Sequence, residues 1–390
     1  MFHSKALLHR CLLGTSLIAG LLISGCNHDS KDSAAEKVSR QLQTVLDTAV
    51  AKPETGYPGA ILYARSADGV WQNSAGIGEI NTQTAMNPDD KFRAGSMLKM
   101  LVSAVTLQLI EEGKLSLDAT LPTVLPVNIA ETLHNNEQIT VQMLLNHTSG
   151  IPEPLNDAAF EQVATNPANI WAVGEWINLA ATQNPLFAPG EGWSYSNANY
   201  LLLGMIIEQA TGNTWRSEVR RRVIDRLALT NTFLPEPGDL SIPGNYAHGY
   251  IEGMDVTGID PSMMDAAGGS ALVTTASDLV RFLDAFLSGD LFQHSDTVNT
   301  LMSFVEAQDE TGLPASYGLG LQHYVYAASE MMGHTGGTAG FAGCVFVFPA
   351  ENITIAAMVN ASEMESLFLD IVIPVFETLK EPAPTNGGNQ

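Results

Sequence analysis

Hydrophobic residues recur at steps of three and four along much of this chain, a spacing that places them on one face of a helix. The pattern predicts helices over 35–52, 97–111, 141–146, 169–181, 200–210, 215–227, 276–287 and 364–380. Shorter apolar runs bounded by turn residues predict strands. These runs cover 59–80, as two strands separated by Ala67-Asp68-Gly69, and then 317–326, 341–348 and 353–360.

The order of these elements, with strands early and late and mostly helices between them, predicts an α+β fold, an α/β sandwich. We expect the late strands to pair with the early ones in an antiparallel sheet that the N- and C-terminal helices cover. The sheet domain would comprise 37–117 and 265–380, and a mostly helical region would be inserted at 118–264. The tail at 381–390 is expected to be disordered.

The N-terminus has the features of an export signal. Two basic residues, Lys5 and Arg10, precede an apolar run over 11–23 that is too short for a comfortable membrane span. Residues 1–25 are therefore predicted to be a signal peptide that is removed from the mature protein.

The end of this signal, Ile23-Ser24-Gly25-Cys26, resembles a bacterial lipobox. The resemblance implies cleavage before Cys26 and lipidation of its thiol, followed by a short tether over 26–36; the alternative is a plain signal peptide with a coincidental cysteine. Several acyl chains would anchor the protein firmly, whereas one binds a membrane marginally. With Asn27 next, we expect a lipid-anchored protein of the bacterial cell envelope, on the outer membrane and facing the periplasm.

Composition and charge exclude several classes of function. The chain is 45% hydrophobic and 15% charged, as globular proteins are. Its 42 acidic residues exceed its 18 basic ones, and loss of Lys5 and Arg10 with the signal would leave 16 basic residues and a net charge of −26, which argues against a nucleic-acid partner. A His-Glu-x-x-His motif and paired cysteines are both missing from the sequence, so we expect no metal and no cofactor. Cys344 is expected to be a buried, inert thiol.

Ser96 and Lys99 are the first candidates for chemistry. Ser96 lies at the N-terminal edge of the predicted 97–111 helix, and Lys99 follows one turn later on the same face. A lysine amine can take the serine proton only when it is neutral, so its pKa must fall from about 10.4, and a fall of ~3 units corresponds to ~4 kcal/mol. The pair therefore requires a dry pocket. The alternative is a solvated helix face.

Tyr195-Ser196-Asn197 precedes a strongly apolar helix, so Tyr195 and Asn197 are placed on the loop that leads into a rigid element. The Tyr195 phenol could relay a proton, and the Asn197 amide could hold substrate or Lys99. An ordinary turn remains the alternative.

The stretch His334-Thr335-Gly336-Gly337 is interpreted as a glycine-rich connection between two strands, where the glycines would let a substrate approach closely. His334 and Thr335 could bind substrate, and a backbone N–H near Gly337 could complete an oxyanion hole. The alternative is a turn with a surface histidine. His147, in a similar stretch at the end of the 141–146 helix, is interpreted as structural.

Together these stretches resemble the serine β-lactamase and penicillin-binding-protein superfamily, in particular its class C-like branch of DD-carboxypeptidases, class C β-lactamases and esterases. The resemblance covers about residues 35–380. Other matching stretches are Leu144-Leu145-Asn146-His147-Thr148-Ser149-Gly150, Asn197-Ala198-Asn199-Tyr200-Leu201-Leu202-Leu203-Gly204, Ala267-Gly268-Gly269-Ser270 and Thr275-Ala276-Ser277-Asp278-Leu279.

The resemblance implies a β-lactamase/transpeptidase-like fold and a role for each residue. Ser96 would be the acylated nucleophile, Lys99 its base and Tyr195 the general acid and base. Substrate-binding residues would be Asn197, His334, Thr335 and Gly337. Position 337 departs from the common pattern, because carboxypeptidases and lactamases of this branch often carry a hydroxyl or small residue there, beside the substrate carboxylate. Esterase-like members of the branch tolerate glycine at this position.

The function expected from the resemblance is an envelope serine hydrolase, foremost a D-alanyl-D-alanine carboxypeptidase or related peptidase acting on peptidoglycan stem peptides. A class C-like β-lactamase and a small-ester esterase are the enzymatic alternatives. A binding module that senses peptidoglycan or β-lactams is the alternative outside catalysis.

Overall fold

The structure is a computed structural model, and it describes residues 34–52, 56–155, 165–166, 169–260, 262, 272–308 and 313–380. The predicted signal peptide, Cys26, most of the tether, the stretch 267–270 and the tail at 381–390 lie outside these residues. No helix among the described residues is long and apolar enough to cross a membrane.

The helices follow the predicted order. They are α1 (Ala34–Ala51), α2 (Leu98–Glu111), α3 (Leu121–Val124), α4 (Val127–Ala130), α5 (Val141–Leu145), α6 (Val173–Ala181), α7 (Asn197–Thr211), α8 (Trp215–Val219), α9 (Ala276–Ser288), α10 (Asp296–Leu301), α11 (Met364–Leu367) and α12 (Ile373–Lys380). A 3-10 turn, Gly95–Met97, precedes α2. Single π-helical turns follow α8, at Arg220–Ile224, and α11, at Phe368–Val372.

The strands are β1 (Gly59–Ser66), β2 (Gly69–Glu79), β3 (Thr84–Ala85), β4 (Phe92–Arg93), β5 (Tyr250–Ile251), β6 (Met254–Asp255), β7 (Val273–Thr274), β8 (Val305–Ala307), β9 (Ala315–Tyr317), β10 (Gln322–Tyr326), β11 (Ser329–Thr338), β12 (Phe341–Phe348) and β13 (Ile353–Val359). Nine of them form one sheet in the order β3-β2-β1-β13-β12-β11-β10-β9-β8. Within it β1 pairs antiparallel with β13, so the predicted pairing of early and late strands is confirmed.

The sheet separates two hydrophobic cores, one on each face. Because alternate residues of a strand point to opposite sides, a single strand can contribute side chains to both cores. On β12, Cys344 and Phe346 belong to the core beneath α1 and the C-terminal helices, whereas Val345 points into the larger core that contains α2, α7 and α9. The Cys344 thiol is free and buried, and burial raises its pKa to about 12. The predicted sandwich and the burial of Cys344 are confirmed.

Helices α2 and α7 pack against each other inside the larger core. They carry almost continuous runs of buried residues, which explains why their apolar pattern extends around most of each helix. Between 118 and 264 the described residues are helical or irregular apart from the β5–β6 hairpin. The proposed domain boundaries there remain a prediction.

Two local expectations are wrong, and two predicted helices form with a π-helical turn in them. His334 to Gly337 do not form a connection between strands but lie within β11 itself, because backbone pairing with β12 outweighs the glycine content. The predicted helix 364–380 is interrupted by a π-helical turn, as is the predicted helix 215–227. Asn197 is the first residue of α7 rather than a loop residue.

Candidate active site

Ser96 and Lys99 meet at the start of α2. Ser96 lies in the 3-10 turn that precedes the helix, and the Lys99 side chain turns back toward it, so that Nζ lies 3.1 Å from Ser96 Oγ. The three-residue spacing produces this contact because residues one turn apart share a helix face. The turn itself packs against β11 and β12, which holds the serine at the sheet.

Lys99 is fully buried. Its Nζ donates a 2.7 Å hydrogen bond to Asn197 Oδ1 and lies 4.8 Å from the centre of the Tyr195 ring. Burial lowers the pKa of Lys99 to about 7, and the negative charge of Glu153 opposes part of this fall. A large fraction of the amine is thus neutral near pH 7, as a base for a serine proton must be.

Tyr195 lies beside this pair on the segment that leads into α7. Burial raises the pKa of its phenol well above the usual value, so the hydroxyl is protonated at neutral pH. The Ser96 hydroxyl is close enough to oppose part of the rise, although the two groups lack the geometry of a full hydrogen bond. In this state Tyr195 can give a proton to a leaving group but cannot accept one.

The orientation of the Asn197 amide is set by Glu153. The Asn197 Nδ2 and backbone N–H groups donate to Glu153 Oε2 at 3.2 and 2.7 Å. Because Nδ2 faces the carboxylate, Oδ1 must face Lys99. Glu153 is itself held by the backbone N–H of Leu155, which donates to Oε1 at 2.7 Å. One carboxylate thus aligns the amide that binds Lys99.

The third part of the site is the edge of β11. Strand β10 pairs with β11 only from Ser329 to Gly333, so residues 334–338 have β12 on one side and, within the described part of the chain, no strand on the other. The Thr335 N–H points to the open side, where it donates to Gln322 Oε1 at 2.7 Å. Because alternate residues of a strand face the same edge, the Gly337 N–H points there too.

Close backbone contact joins this edge to the turn that holds Ser96. Gly95 has φ +53°, and a Cβ atom added to it would lie 2.7 Å from Gly337 N and 2.6 Å from Gly337 O. Only glycine fits at position 95, for both reasons. The backbone of residue 337 therefore lies against the turn that holds Ser96, as an oxyanion hole formed by their N–H groups requires.

A cavity of about 680 Å³ opens at this point. It is lined by Ser96 and Tyr195, by the open edge of β11 from Thr335 to Gly337, and by β9, β10 and the C-terminal helical segment. A ligand in it would contact the nucleophile, the phenol and the strand edge together.

His334 does not line this cavity and is fully buried. Its Nδ1 donates to the Thr335 carbonyl, and its Nε2 accepts a 2.8 Å hydrogen bond from the Tyr317 hydroxyl. Burial lowers its pKa to about 3, so the ring is neutral. The structure brings Ser96, Tyr195, Thr335 and Gly337 to the cavity wall, and it places Lys99 and Asn197 behind Ser96. His334 also lies behind the wall.

His147 is buried at the end of α5, in the left-handed conformation with φ +63°, which agrees with its structural interpretation. Its Nδ1 accepts from the Ser196 N–H at 3.2 Å, and its ring packs on that of Tyr195 with centres 4.3 Å apart. Sequence reasoning did not foresee that His147 supports the phenol.

Two further residues at the site, Glu153 and Gln322, were not predicted. Glu153 lies between Pro152 and Pro154, shortly after Ser149-Gly150. A single carboxylate between two prolines was the sequence feature that could have indicated a functional residue. Gln322 could not be identified from the sequence, because its contact with the Thr335 N–H depends on the point at which β10 stops pairing with β11.

Comparison with known proteins agrees with this arrangement. The family model described as Beta-lactamase matches residues 37–371. The chain belongs to the Beta-lactamase family. Its members are acyl-enzyme serine hydrolases, and this family member is likewise a serine hydrolase of the β-lactamase and penicillin-binding-protein superfamily.

Individual relatives of this Beta-lactamase family member span most of the chain. It is 24% identical to "Penicillin-binding protein 4" of Amycolatopsis lactamdurans over 82% of this chain and 85% of the relative. It is 24% identical to the D-alanyl-D-alanine-carboxypeptidase/endopeptidase AmpH of Escherichia coli K12, over 71% and 72%. A D-stereospecific amidohydrolase from Streptomyces sp. shares the fold with a TM-score of 0.76 and 30% identity, over 87% of this chain and 97% of that one.

We expect Glu153→Gln to shift the acidic limb of the kcat/KM profile of this Beta-lactamase family member to lower pH, by on the order of one unit. The substitution removes the negative charge that raises the pKa of Lys99, so the amine stays neutral at lower pH. Hydrolysis of a chromogenic ester between pH 5 and 9 measures this. Glu191→Gln, at an exposed loop position, is the matched control; identical profiles for both variants would contradict the role of Glu153.

Gly336→Ala should destabilise the protein by about 2–4 kcal/mol, because the new Cβ would lie 1.9 Å from the Ala94 carbonyl oxygen. Gly337→Ala is the matched control, since its Cβ would meet only Met364 Cε at 3.7 Å and should cost less than about 0.5 kcal/mol. Urea unfolding followed by circular dichroism compares the two. Equal stabilities would show that β11 does not press against the nucleophile turn.

Proposed function

We propose that this chain hydrolyses an amide or ester through a covalent acyl-Ser96 intermediate, with Lys99 as the base and Tyr195 as the general acid and base. The observation that carries the proposal is the contact between a serine hydroxyl and a fully buried lysine whose pKa is about 7, at the mouth of a cavity. A serine is a weak nucleophile at its free pKa and needs such an adjacent base.

In acylation, neutral Lys99 takes the Ser96 proton as Oγ attacks the substrate carbonyl carbon. The negative charge that develops on the carbonyl oxygen is stabilised by the Ser96 and Gly337 N–H groups. The Tyr195 phenol then protonates the departing amine or alcohol, and the bond to the leaving group breaks. Lys99 is now an ammonium group beside the Tyr195 phenolate, and the opposite charges stabilise each other in the buried site.

In deacylation the protons return. The Tyr195 phenolate takes a proton from water, and the resulting hydroxide attacks the acyl carbon of the intermediate. When the bond to Ser96 Oγ breaks, the Lys99 ammonium gives its proton back to the serine oxygen. The acid product leaves, and all three side chains regain their starting protonation states, as a catalytic cycle requires.

The finer alternatives share this chemistry and differ in the group that leaves. A D-alanyl-D-alanine carboxypeptidase or related peptidase is favoured by similarity to AmpH of Escherichia coli, which carries that name. Similarity to the D-stereospecific amidohydrolase from Streptomyces sp. instead favours hydrolysis of amides with D stereochemistry. A β-lactamase and an esterase use the same residues, and a sensor would acylate without rapid turnover.

Incubation of the wild type with a fluorescent penicillin and, separately, with a chromogenic ester should add the acyl mass of at least one of them to a Ser96-containing peptide, and Ser96→Ala should add neither. Lys99→Ala should lower the acylation rate about 10²–10⁴-fold, the usual contribution of a positioned base. His334→Ala should weaken acylation less, because the His334 ring bonds to Tyr317 and the Thr335 carbonyl, whereas Lys99 contacts Ser96 itself. Intact-mass and peptide-mass measurements over time report these rates.

Lys114→Ala is the matched lysine control for that experiment, since Lys114 follows the other end of α2 and its side chain is half exposed. It should be acylated like the wild type. Equal labelling of the wild type and Lys99→Ala would refute the mechanism. Persistent label without turnover would favour a sensor or a carboxypeptidase, and rapid release would favour a lactamase or an esterase.

We also propose that Cys26 carries a lipid anchor that holds the enzyme at the cell envelope, on the basis of the Ile23-Ser24-Gly25-Cys26 sequence. Expressed in a diderm bacterium, the wild type should partition into the detergent phase of a Triton X-114 extract. Cys26→Ser should instead appear in the aqueous phase or remain uncleaved. Aqueous partition of a processed wild type would contradict lipidation.

A further inference from the structure

The cavity at Ser96 differs from most sites that bind ionic ligands in that its described lining residues include no Asp, Glu, Lys, Arg or His. Its polar side chains are hydroxyl and amide groups, such as those of Ser316, Gln322 and Thr335. Hydroxyl and amide groups can bind a carboxylate, but without a cation they do not repay the cost of removing its charge from water.

One wall of this cavity is apolar. The side chains that form it come from the segment before β9 and from the C-terminal helical segment; they are Leu313, Met364, Phe368, Leu369 and Ile373. Leu369 is 60% exposed, although large aliphatic side chains are usually buried. This wall can bury an alkyl or aryl group of a ligand while offering a carboxylate no partner.

The basic side chains close to Ser96, which are Lys99 and His334, do not offer a carboxylate in the cavity a positively charged partner. Lys99 is fully buried behind the wall, where its Nζ contacts Ser96 and Asn197, and it does not line the cavity. His334 also lies behind the wall, as a neutral ring held by Tyr317 and the Thr335 carbonyl. Gly337, next to the cavity, contributes no side chain at all.

The interior segments that lie outside the described residues contain no basic side chain that could supply a positive charge. The sequences at 53–55, 156–164, 167–168, 261, 263–271 and 309–312 contain no Lys, Arg or His, and the last of these, next to the cavity-lining Gln308 and Leu313, contains Asp309 and Glu310. The net charge of −24 for the whole chain acts in the same direction, because it repels anions from a distance.

We propose that this site takes a substrate that is uncharged beside the scissile bond and carries an apolar group into the cavity, that is, a neutral amide or ester rather than a peptide with a free terminal carboxylate. The inference rests on the proposed acyl-Ser96 hydrolysis and specifies its substrate class. Water replaces the neutral amine or alcohol, which leaves with one proton, so no further reactant is needed.

A matched pair of substrates tests the charge directly. N-acetyl-D-alanyl-D-phenylalanine and its C-terminal carboxamide have nearly the same shape, and only the first carries a negative charge. With the full chain in detergent, we expect kcat/KM for total amide-bond hydrolysis, measured by mass spectrometry, to be at least about tenfold higher for the carboxamide. An equal or higher value for the free acid would overturn the proposal.

Adding a cation to the cavity should reverse this preference. Met364 lies beside Gly337, since a Cβ at 337 would be 3.7 Å from Met364 Cε. Met364→Lys should therefore shift the ratio of kcat/KM values at least about tenfold toward the free acid. Met364→Gln, of similar length but neutral, should leave the ratio unchanged. The same ratio in both variants would show that charge in this wall does not select the substrate.

A binding measurement covers the case in which neither peptide is hydrolysed. Phenylboronic acid and 4-carboxyphenylboronic acid both form reversible adducts with an activated serine, and their affinities can be compared from the rise in Tm. Tighter binding of the uncharged compound, lost in Ser96→Ala, supports the proposal, and equal or tighter binding of the carboxylate overturns it. Absence of any Ser96 adduct would instead refute the proposed acyl-enzyme function, so the two failures are distinguishable.

Discussion

Burial of the Lys99 amine is the constraint on which the site depends. A charged ammonium removed from water loses most of its solvation, and the surrounding protein repays only part of it through Asn197 and the more distant Glu153. The result is an amine that exchanges its proton near neutral pH. The groups packed around Lys99 either exclude water from this nitrogen or align it with Ser96.

The architecture explains why such burial is possible. Helix α2 lies in the larger core, with residues Leu98 to Leu109 all buried, and α7 packs alongside it to bring Asn197 to the lysine. The sheet supplies the opposite wall through β11, whose glycines allow backbone to touch backbone at Gly95. Two apolar helices and one glycine-rich strand therefore create a dry site from residues almost a hundred and more than two hundred positions apart.

The parts of this site that are local in sequence were predictable. The Ser96–Lys99 contact follows from helix periodicity, and the roles of Tyr195 and Asn197 followed from resemblance to a family. Glu153 and Gln322 could not be predicted, because their contacts depend on long-range packing. The placement of His334 to Gly337 was misjudged for a related reason: glycine content suggests a turn, whereas pairing with β12 decides that these residues form a strand.

The hydrogen bond from the Thr335 N–H to the Gln322 side chain has a thermodynamic consequence. The open stretch of β11 is already satisfied at this donor when the site is empty, so an incoming ligand that takes over the N–H exchanges one bond for another. Such an exchange contributes little net affinity but strongly penalises a ligand that displaces the amide and offers no acceptor. Through this hydrogen bond, Gln322 favours ligands that place an acceptor where a paired strand would place its carbonyl group. It also keeps the exposed strand edge from binding other polypeptides nonspecifically.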